Sequence, residues 1–182
     1  MSAPGHPKGE YRSAQHRGTP VSALPRHHRW LAAMTIAHLD AVVEIENAAY
    51  PFPWTRGNFI DSLASGYPAQ VLSDSDQPGR VIGYFVAMEG VDELHLLNLT
   101  VAPEVQRRGH GHHMLDALVE LCGQRGALQL WLEVRQSNPR AHALYLRRGF
   151  LDIGVRRGYY PAAAGGREDA LVMSLVVPGK RS

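Results

Sequence analysis

The stretch Leu94–Gly111, Leu-His-Leu-Leu-Asn-Leu-Thr-Val-Ala-Pro-Glu-Val-Gln-Arg-Arg-Gly-His-Gly, decides how the rest of this sequence is read. Leu94 to Val101 is rich in β-formers and reads as a strand. From about Gly109 to Gln124, Met114, Leu115, Leu118, Leu121 and Cys122 fall on one helical face. Between strand and helix, Gln106-Arg107-Arg108-Gly109-His110-Gly111 makes a turn whose unpaired N–H groups stand beside two cations. Such a turn suits an anion: glycines at 109 and 111 let a ligand approach the main chain, and the helix dipole favours phosphate oxygens. The same hexapeptide also serves as a tight connection without a ligand. It is not a nucleotide P-loop, since no Gly-Lys-Ser/Thr follows, nor a Gly-x-Gly-x-x-Gly dinucleotide fingerprint.

Upstream, Ala69–Ser73 and Val81–Met88 are strand-like and joined by a turn at Asp74–Gly79, so with Leu94–Val101 they form an antiparallel meander. Before them, Trp30–Ile36 reads as a first strand. Ile36, Leu39, Val42, Val43, Ile45 and Glu46 give helical spacing to about Ala49, where Pro51 and Pro53 stop the helix. Thr55 caps a short helix carrying Phe59, Ile60 and Leu63, ended by Gly66. Downstream come a dense apolar strand at Leu128–Val134, a helix at Asn138–Arg148, and closing strands at Phe150–Val155 and Ala170–Val176. Strand, helix, strand, helix implies an α/β fold. The unit from Leu94 to Val134 predicts a parallel pair joined by a right-handed crossover. No internal repeat is present.

With 182 residues the chain suits one domain. Residues 1–29 lack apolar periodicity and read as a disordered basic tail, 30–178 as the folded domain, and 179–182 as a short C-terminal tail. No apolar run approaches the ~18 residues of a membrane span, and the N-terminus lacks the apolar stretch of a secretory signal. The lone Cys122 cannot form an internal disulfide and excludes a Cys-cluster metal site, so a reducing cytoplasm is expected. The net charge of +2 divides into +4 on residues 1–29 and −2 on the remainder. A mildly acidic body suits cationic substrates, although such a balance is also that of an ordinary solvated surface. The tail reads as a solvated extension, against the alternative that its Arg and Lys residues grip RNA, and direct nucleic-acid binding is not expected.

Val101 to Gly111 resembles the coenzyme A motif of the GNAT superfamily, Gln/Arg-x-x-Gly-x-Gly/Ala, and matches it completely. Leu130-Trp131-Leu132-Glu133-Val134-Arg135, Ser137-Asn138, Ala143-Leu144-Tyr145, Gly149-Phe150, Arg156-Arg157, Tyr159-Tyr160-Pro161 and Gly166-Arg167-Glu168-Asp169-Ala170 follow in the expected order. These, with the early loop Phe52-Pro53-Trp54, resemble ribosomal-protein-alanine N-acetyltransferases over roughly residues 35 to 176. The resemblance implies the GNAT fold: a mixed central sheet of about six to seven strands, about four flanking helices, and a splayed parallel strand pair that binds acetyl-CoA. It also implies that the main chain of Leu99, Thr100 and Val101 holds the acetyl-pantetheine arm. Arg107, Arg108, Gly109, His110, Gly111 and His112 would then hold the pyrophosphate, with Asn138 as a further contact. Thr100 stands where relatives often have Ala, and its β-branched side chain suits a strand.

Acetyl transfer needs an uncharged amine. An α-amino group titrates near ~7.7 to 8.0 and a lysine near ~10.4, so the α-amine is the easier acceptor. Glu133 lies among Leu130, Trp131, Leu132 and Val134, where an ionised side chain needs a cleft to hydrate or pair it. It is the candidate base, against the alternative of a surface carboxylate. Tyr145 lies two helical turns after Asn138, and its phenol can hand a proton to a departing thiolate. The alternative is an aromatic anchor for its helix. Asn138 before Pro139 is a good helix N-cap in any case. Phe52, Tyr159 and Tyr160 look like walls of a peptide groove, or equally an aromatic cluster of the core. His110, His112 and His113 lack metal-ligand spacing, so no metal is expected. The implied activity is direct transfer from acetyl-CoA to a protein N-terminus. By resemblance the acceptor is the N-terminal alanine of small-subunit ribosomal protein eighteen. The other readings are acetylation of a lysine or small-molecule amine, and a non-catalytic acetyl-CoA-binding module.

Overall fold

Val81–Glu89 is buried at its first seven positions because helices cover both of its faces, and the sheet is arranged about it. The computed structural model describes residues 30–178 except 75, 76 and 78. The expected tails at 1–29 and 179–182 lie outside the described residues. Among the described residues the strands are β1 (Trp30–Ala33), β2 (Ala69–Ser73), β3 (Val81–Glu89), β4 (Glu93–Val101), β5 (Gln129–Arg135), β6 (Leu151–Pro161) and β7 (Arg167–Val176). The α-helices are α1 (Leu39–Ala49), α2 (Arg56–Ala64), α3 (His110–Arg125) and α4 (Pro139–Arg148). All seven strands form one sheet, ordered β1-β2-β3-β4-β5-β7-β6. Every pairing is antiparallel except β4 with β5, which α3 joins by a crossover. This is the mixed α/β sheet, with its single parallel pair, that the sequence implied.

Alternation along β3 assigns the faces. Tyr84 reaches Glu46 of α1, whereas Gly83 faces α3, whose Met114 Cε lies 3.1 Å from the point where a side chain would begin. Leu39 and Val42 of α1 and Phe59 of α2 are fully buried, as are Met114, Leu115 and Leu118 of α3. Each contributes about 1.5 to 3 kcal/mol of transfer free energy. Helix α4 lies beside α3, with Arg148 Nε 2.6 Å from Asp116 Oδ1 and Leu144 against Gly111. No helix among the described residues is long and apolar enough to cross a membrane.

Two features of β4 create the site. Its ladder with β5 runs from Glu93↔Gln129 to Leu96↔Leu132 and stops there, so the parallel strands part beyond Leu96. Its register with β3 also shifts at Val86/Ala87, leaving Leu97 as an extra, bulged residue. Before the bulge Leu96 faces α3 opposite Ala87. After it, Asn98 and Thr100 face α1, opposite Val86 and Tyr84. Because Leu132 shares the α3 face with Leu96, Glu133 points to the α1 face as well.

Several boundaries differ from the sequence reading, and the first strand ends at Ala33 rather than Ile36. A turn of 3-10 helix at Ile36–His38 precedes α1, fixed by the Thr35 N–H donating to His38 Nδ1 at 3.0 Å, so the helix does not start at Ile36. The closing hairpin is longer than expected: β6 continues to Pro161 and β7 begins at Arg167. Polar Arg156 and Arg157 hide this extension, because β6 is an edge strand exposed along nearly its whole length and needs no apolar alternation.

Candidate active site

A cleft of about 280 Å³ opens where β4 and β5 part. The end of α1 contributes Glu46 and Tyr50, and the following loop contributes Phe52 and Trp54. Strand β4 gives Asn98 and Leu99, and β5 gives Glu133 and Arg135. Helix α4 gives Asn138 and Tyr145, and β6 gives Tyr160. The split thus gathers side chains from both faces of the sheet: Glu133 arrives from the α1 face, Tyr145 from the helix beside α3.

The Glu133 side chain is 19% exposed and its Oε1 lies 2.7 Å from Arg156 Nη1. The Arg156 guanidinium in turn sits 4.2 Å over the Tyr159 ring. Glu133's carboxylate raises the Arg156 pKa further, and its main-chain oxygen accepts the Tyr160 hydroxyl at 3.0 Å. Tyr145 is 7% exposed and packs on Phe150 with centroids 5.6 Å apart. Burial pushes its phenol well above the usual value, so it stays protonated at neutral pH. It is therefore both an aromatic anchor and a proton-bearing group in the cleft. Asn138 is likewise double: its Oδ1 accepts from Ala141 N at 3.1 Å as the N-cap of α4, while its side lines the cleft.

The turn before α3 is braced through Gln106, which donates to Val101 O at 3.0 Å and accepts from Arg140 Nη1 at 2.9 Å. Arg107 and Gly109 take left-handed conformations, φ 65° and 81°. No side chain caps α3, and Arg107 and Arg108 stand exposed beside its start. Gly111 has a packing reason of its own: a Cβ there would lie 3.3 Å from Leu144 Cδ2, so the missing side chain lets α4 approach α3. His110 is 7% exposed, its ring inside the protein, whereas His112 is half-buried. No group of three His, Cys, Asp or Glu side chains arranged to hold a metal occurs among the described residues.

Of the three residues assigned to the acetyl arm, Leu99 lines the cleft. Thr100 is 3% exposed and uses its hydroxyl, lying 2.8 Å from Asn98 Oδ1, so strand preference alone does not account for it. Phe52 and Tyr160 are walls of the cleft. Tyr159 is not among its lining residues: it stands behind, edge-on to Tyr160 at 4.9 Å and under Arg156.

Sequence reasoning missed Glu46, Tyr50, Asn98 and Arg135. Arg135 ties two walls together: Nη1 bonds Pro161 O at 2.9 Å and Glu168 Oε2 at 3.2 Å, and its Cζ lies 4.3 Å from the Tyr160 ring and 5.8 Å from that of Phe52. Glu168 also accepts the Ser137 N–H at 2.6 Å, and hydrogen bonding from the Ser137 side chain first, then from that N–H and Arg135, holds its carboxyl below the usual range. Glu46 is 1% exposed. A carboxylate among the apolar positions of α1 was the available signal.

The sequence matches the model of the acetyltransferase (GNAT) family over residues 39–150. It is 37% identical over 147 residues, 81% of this chain and 97% of the relative, to the ribosomal protein bS18-alanine N-acetyltransferase of Salmonella typhimurium. Its structure superposes on the crystal structure of the ribosomal-protein-S18-alanine N-acetyltransferase from Escherichia coli with TM-score 0.75 and 34% identity, covering 85% of this chain and 99% of that one. A phosphinothricin acetyltransferase from Sinorhizobium meliloti, solved in complex with AcCoA, shares the fold at TM-score 0.69 and 22% identity over 85% of this chain and 91% of that one.

Proposed function

The chain belongs to the acetyltransferase (GNAT) family and is an acetyl-CoA-dependent N-acetyltransferase, and from that premise we propose that its acceptor is the N-terminal α-amine of a protein. The acceptor that the relatives' names support is the N-terminal alanine of ribosomal protein bS18, which would set the enzyme to work in the cytoplasm. The observation that carries the reading is the cleft at the β4–β5 split, where Glu133 and Tyr145 face one space walled by Phe52 and Tyr160.

In this reading the turn at 106–111 and the start of α3 hold the pyrophosphate of acetyl-CoA, with Arg107, Arg108 and His112 as its cations and donors. The buried position of His110 leaves it the packing role. The unpaired edge of β4 at Leu99–Val101 holds the acetyl-bearing arm, and its main-chain donors steady negative charge on the carbonyl oxygen. The amine nitrogen attacks the thioester carbon, forming N–C as C–S breaks. Glu133 takes the proton released by nitrogen, directly or through water, and Tyr145 gives its phenolic proton to the leaving sulfur. An α-amine near ~7.7 to 8.0 is neutral in only a minority of molecules at pH 7, so a base helps, though far less is asked of it than by a lysine near ~10.4. The acceptor's main chain would lie between the Phe52 loop and the β6–β7 hairpin.

The test is coenzyme A release with acetyl-CoA and peptides beginning Ala, Ser or Met, an N-terminally blocked lysine peptide, and Glu133→Gln. Preference for a free N-terminal Ala, with turnover strongly reduced in the variant, is the expected result. Turnover only on the blocked lysine peptide would move the acceptor to another class. Acetyl-CoA binding with no turnover on any amine would mark a binding module.

A further inference from the structure

Glu46 completes the buried stripe of α1 formed by Leu39, Val42 and Ile45. Burying a carboxylate there is costly, and an apolar side chain of similar volume is often as stable or more so. Fold stability therefore does not account for it. None of the described cations pairs with it. Instead it is held by three neutral donors: the Trp54 N–H at 2.8 Å and Asn98 Nδ2 at 3.2 Å on Oε1, and the Tyr84 hydroxyl on Oε2.

Trp54 and Asn98 both line the cleft, on two different elements, and Tyr84 stands behind them on β3. The arrangement continues in a fixed direction. Because the Asn98 amide donates to Glu46, its oxygen turns to Thr100, 2.8 Å away; that oxygen can only accept, so Thr100 donates to it. The Thr100 hydroxyl then accepts from Tyr50 at 3.1 Å. A directed chain thus runs from the Tyr50 phenol at the cleft through Thr100 and Asn98 to the Glu46 carboxylate. The bulge at Leu97 is what turns Asn98 and Thr100 toward it.

We propose that Glu46 is a positioning residue for the acceptor amine. By holding Tyr50, Trp54 and Asn98 in register, it fixes the shape of the acceptor side of the cleft, and it places a negative charge beneath the site where a cationic amine enters. The proposal rests on the reading of this cleft as the acceptor site, and it adds a second carboxylate that moves no proton.

The test compares the wild type with Glu46→Gln and Tyr84→Phe, using whichever amine the wild type turns over. The wild-type panel thereby judges the acceptor class separately. Glu46→Gln keeps the volume but loses the charge-assisted bonds, and is expected to raise the acceptor KM about tenfold while the acetyl-CoA KM stays within about twofold. Tyr84→Phe, which removes one donor from behind the cleft wall, is expected to raise the acceptor KM about threefold. Amide exchange at Trp54 needs no turnover: it should speed about tenfold in Glu46→Gln while β3 keeps its protection. The proposal is overturned by an acceptor KM within about twofold of wild type in both variants, by parallel rises in both KM values, or by unchanged exchange at Trp54.

Discussion

The two walls of the cleft each present a glutamate, and the two are held in opposite ways. Glu46 is sealed from water and bonded only by neutral donors, whereas Glu133 is reachable and pairs with the exposed charge of Arg156. A carboxylate held by three fixed donors and cut off from water can shape a pocket but has no route by which to pass on a proton. One that borders solvent beside an arginine can accept a proton and return it to water. The difference between them is one of surroundings, since the side chains are identical.

The sharpest way to break this comparison is Glu133→Gln. If the two carboxylates differ as described, kcat/KM falls by about 10² to 10⁴, mostly in kcat, and the thermal midpoint stays near that of wild type. A loss confined to acceptor KM would make Glu133 a second shaping residue and erase the distinction. Tyr145→Phe should lower kcat by roughly 10- to 100-fold, because a leaving thiolate near ~8.5 is more easily expelled than most bases and depends less on an acid. Restoring turnover with a substrate bearing a more acidic thiol would sharpen the assignment.

Four phenols are raised above the ordinary value chiefly by burial: half-buried Tyr50 and buried Tyr84 on the side of Glu46, buried Tyr145 and half-buried Tyr160 on the other. A raised folded pKa stabilises fully below the unfolded value of about 10 and is lost as pH climbs through the folded value. Above pH ~10 the buried phenols of Tyr84 and Tyr145 should therefore each cost about 1.4 kcal/mol of stability per pH unit. Thermal melts from pH 8 to 11 check this, and the slope should be shallower in Tyr84→Phe and Tyr145→Phe by similar amounts if the two walls are equally dry. The smallest effect belongs to Asn138→Ala, which removes the cap of α4 on the Glu133 side. It should cost about 1 kcal/mol in denaturant unfolding.

What the sequence disclosed and what it hid follow the range of the interactions. The strand, turn and helix around 106–111 and the helix cap at Asn138 lie in local patterns and were readable there, whereas Glu133 and Tyr145 were singled out by the family resemblance more than by any local pattern. The Glu46 network joins residues as far apart as positions 46 and 98, and no local period records it. Glu46 even fits the helical spacing of α1 as if it were one of its apolar residues. The bulge at Leu97 is equally silent in composition, yet it decides which β4 side chains face the cleft. The overlong β6–β7 hairpin was missed because an edge strand exposed to solvent tolerates Arg156 and Arg157, which break the alternation on which strand reading depends.

Past Leu96, β4 has lost its β5 neighbour, so what that edge offers a guest is peptide backbone. Every amino acid but proline supplies the same N–H and C=O. A seat made this way is hard to mutate away: exchanges at Leu99, Thr100 or Val101 alter its flanks, while the donors themselves persist. In the proposed reading the side chains around it can drift, changing which amine is welcomed, while the thioester keeps its place. Proline scanning along Leu97–Val101, rather than alanine scanning, is the form of mutagenesis that would find its limits.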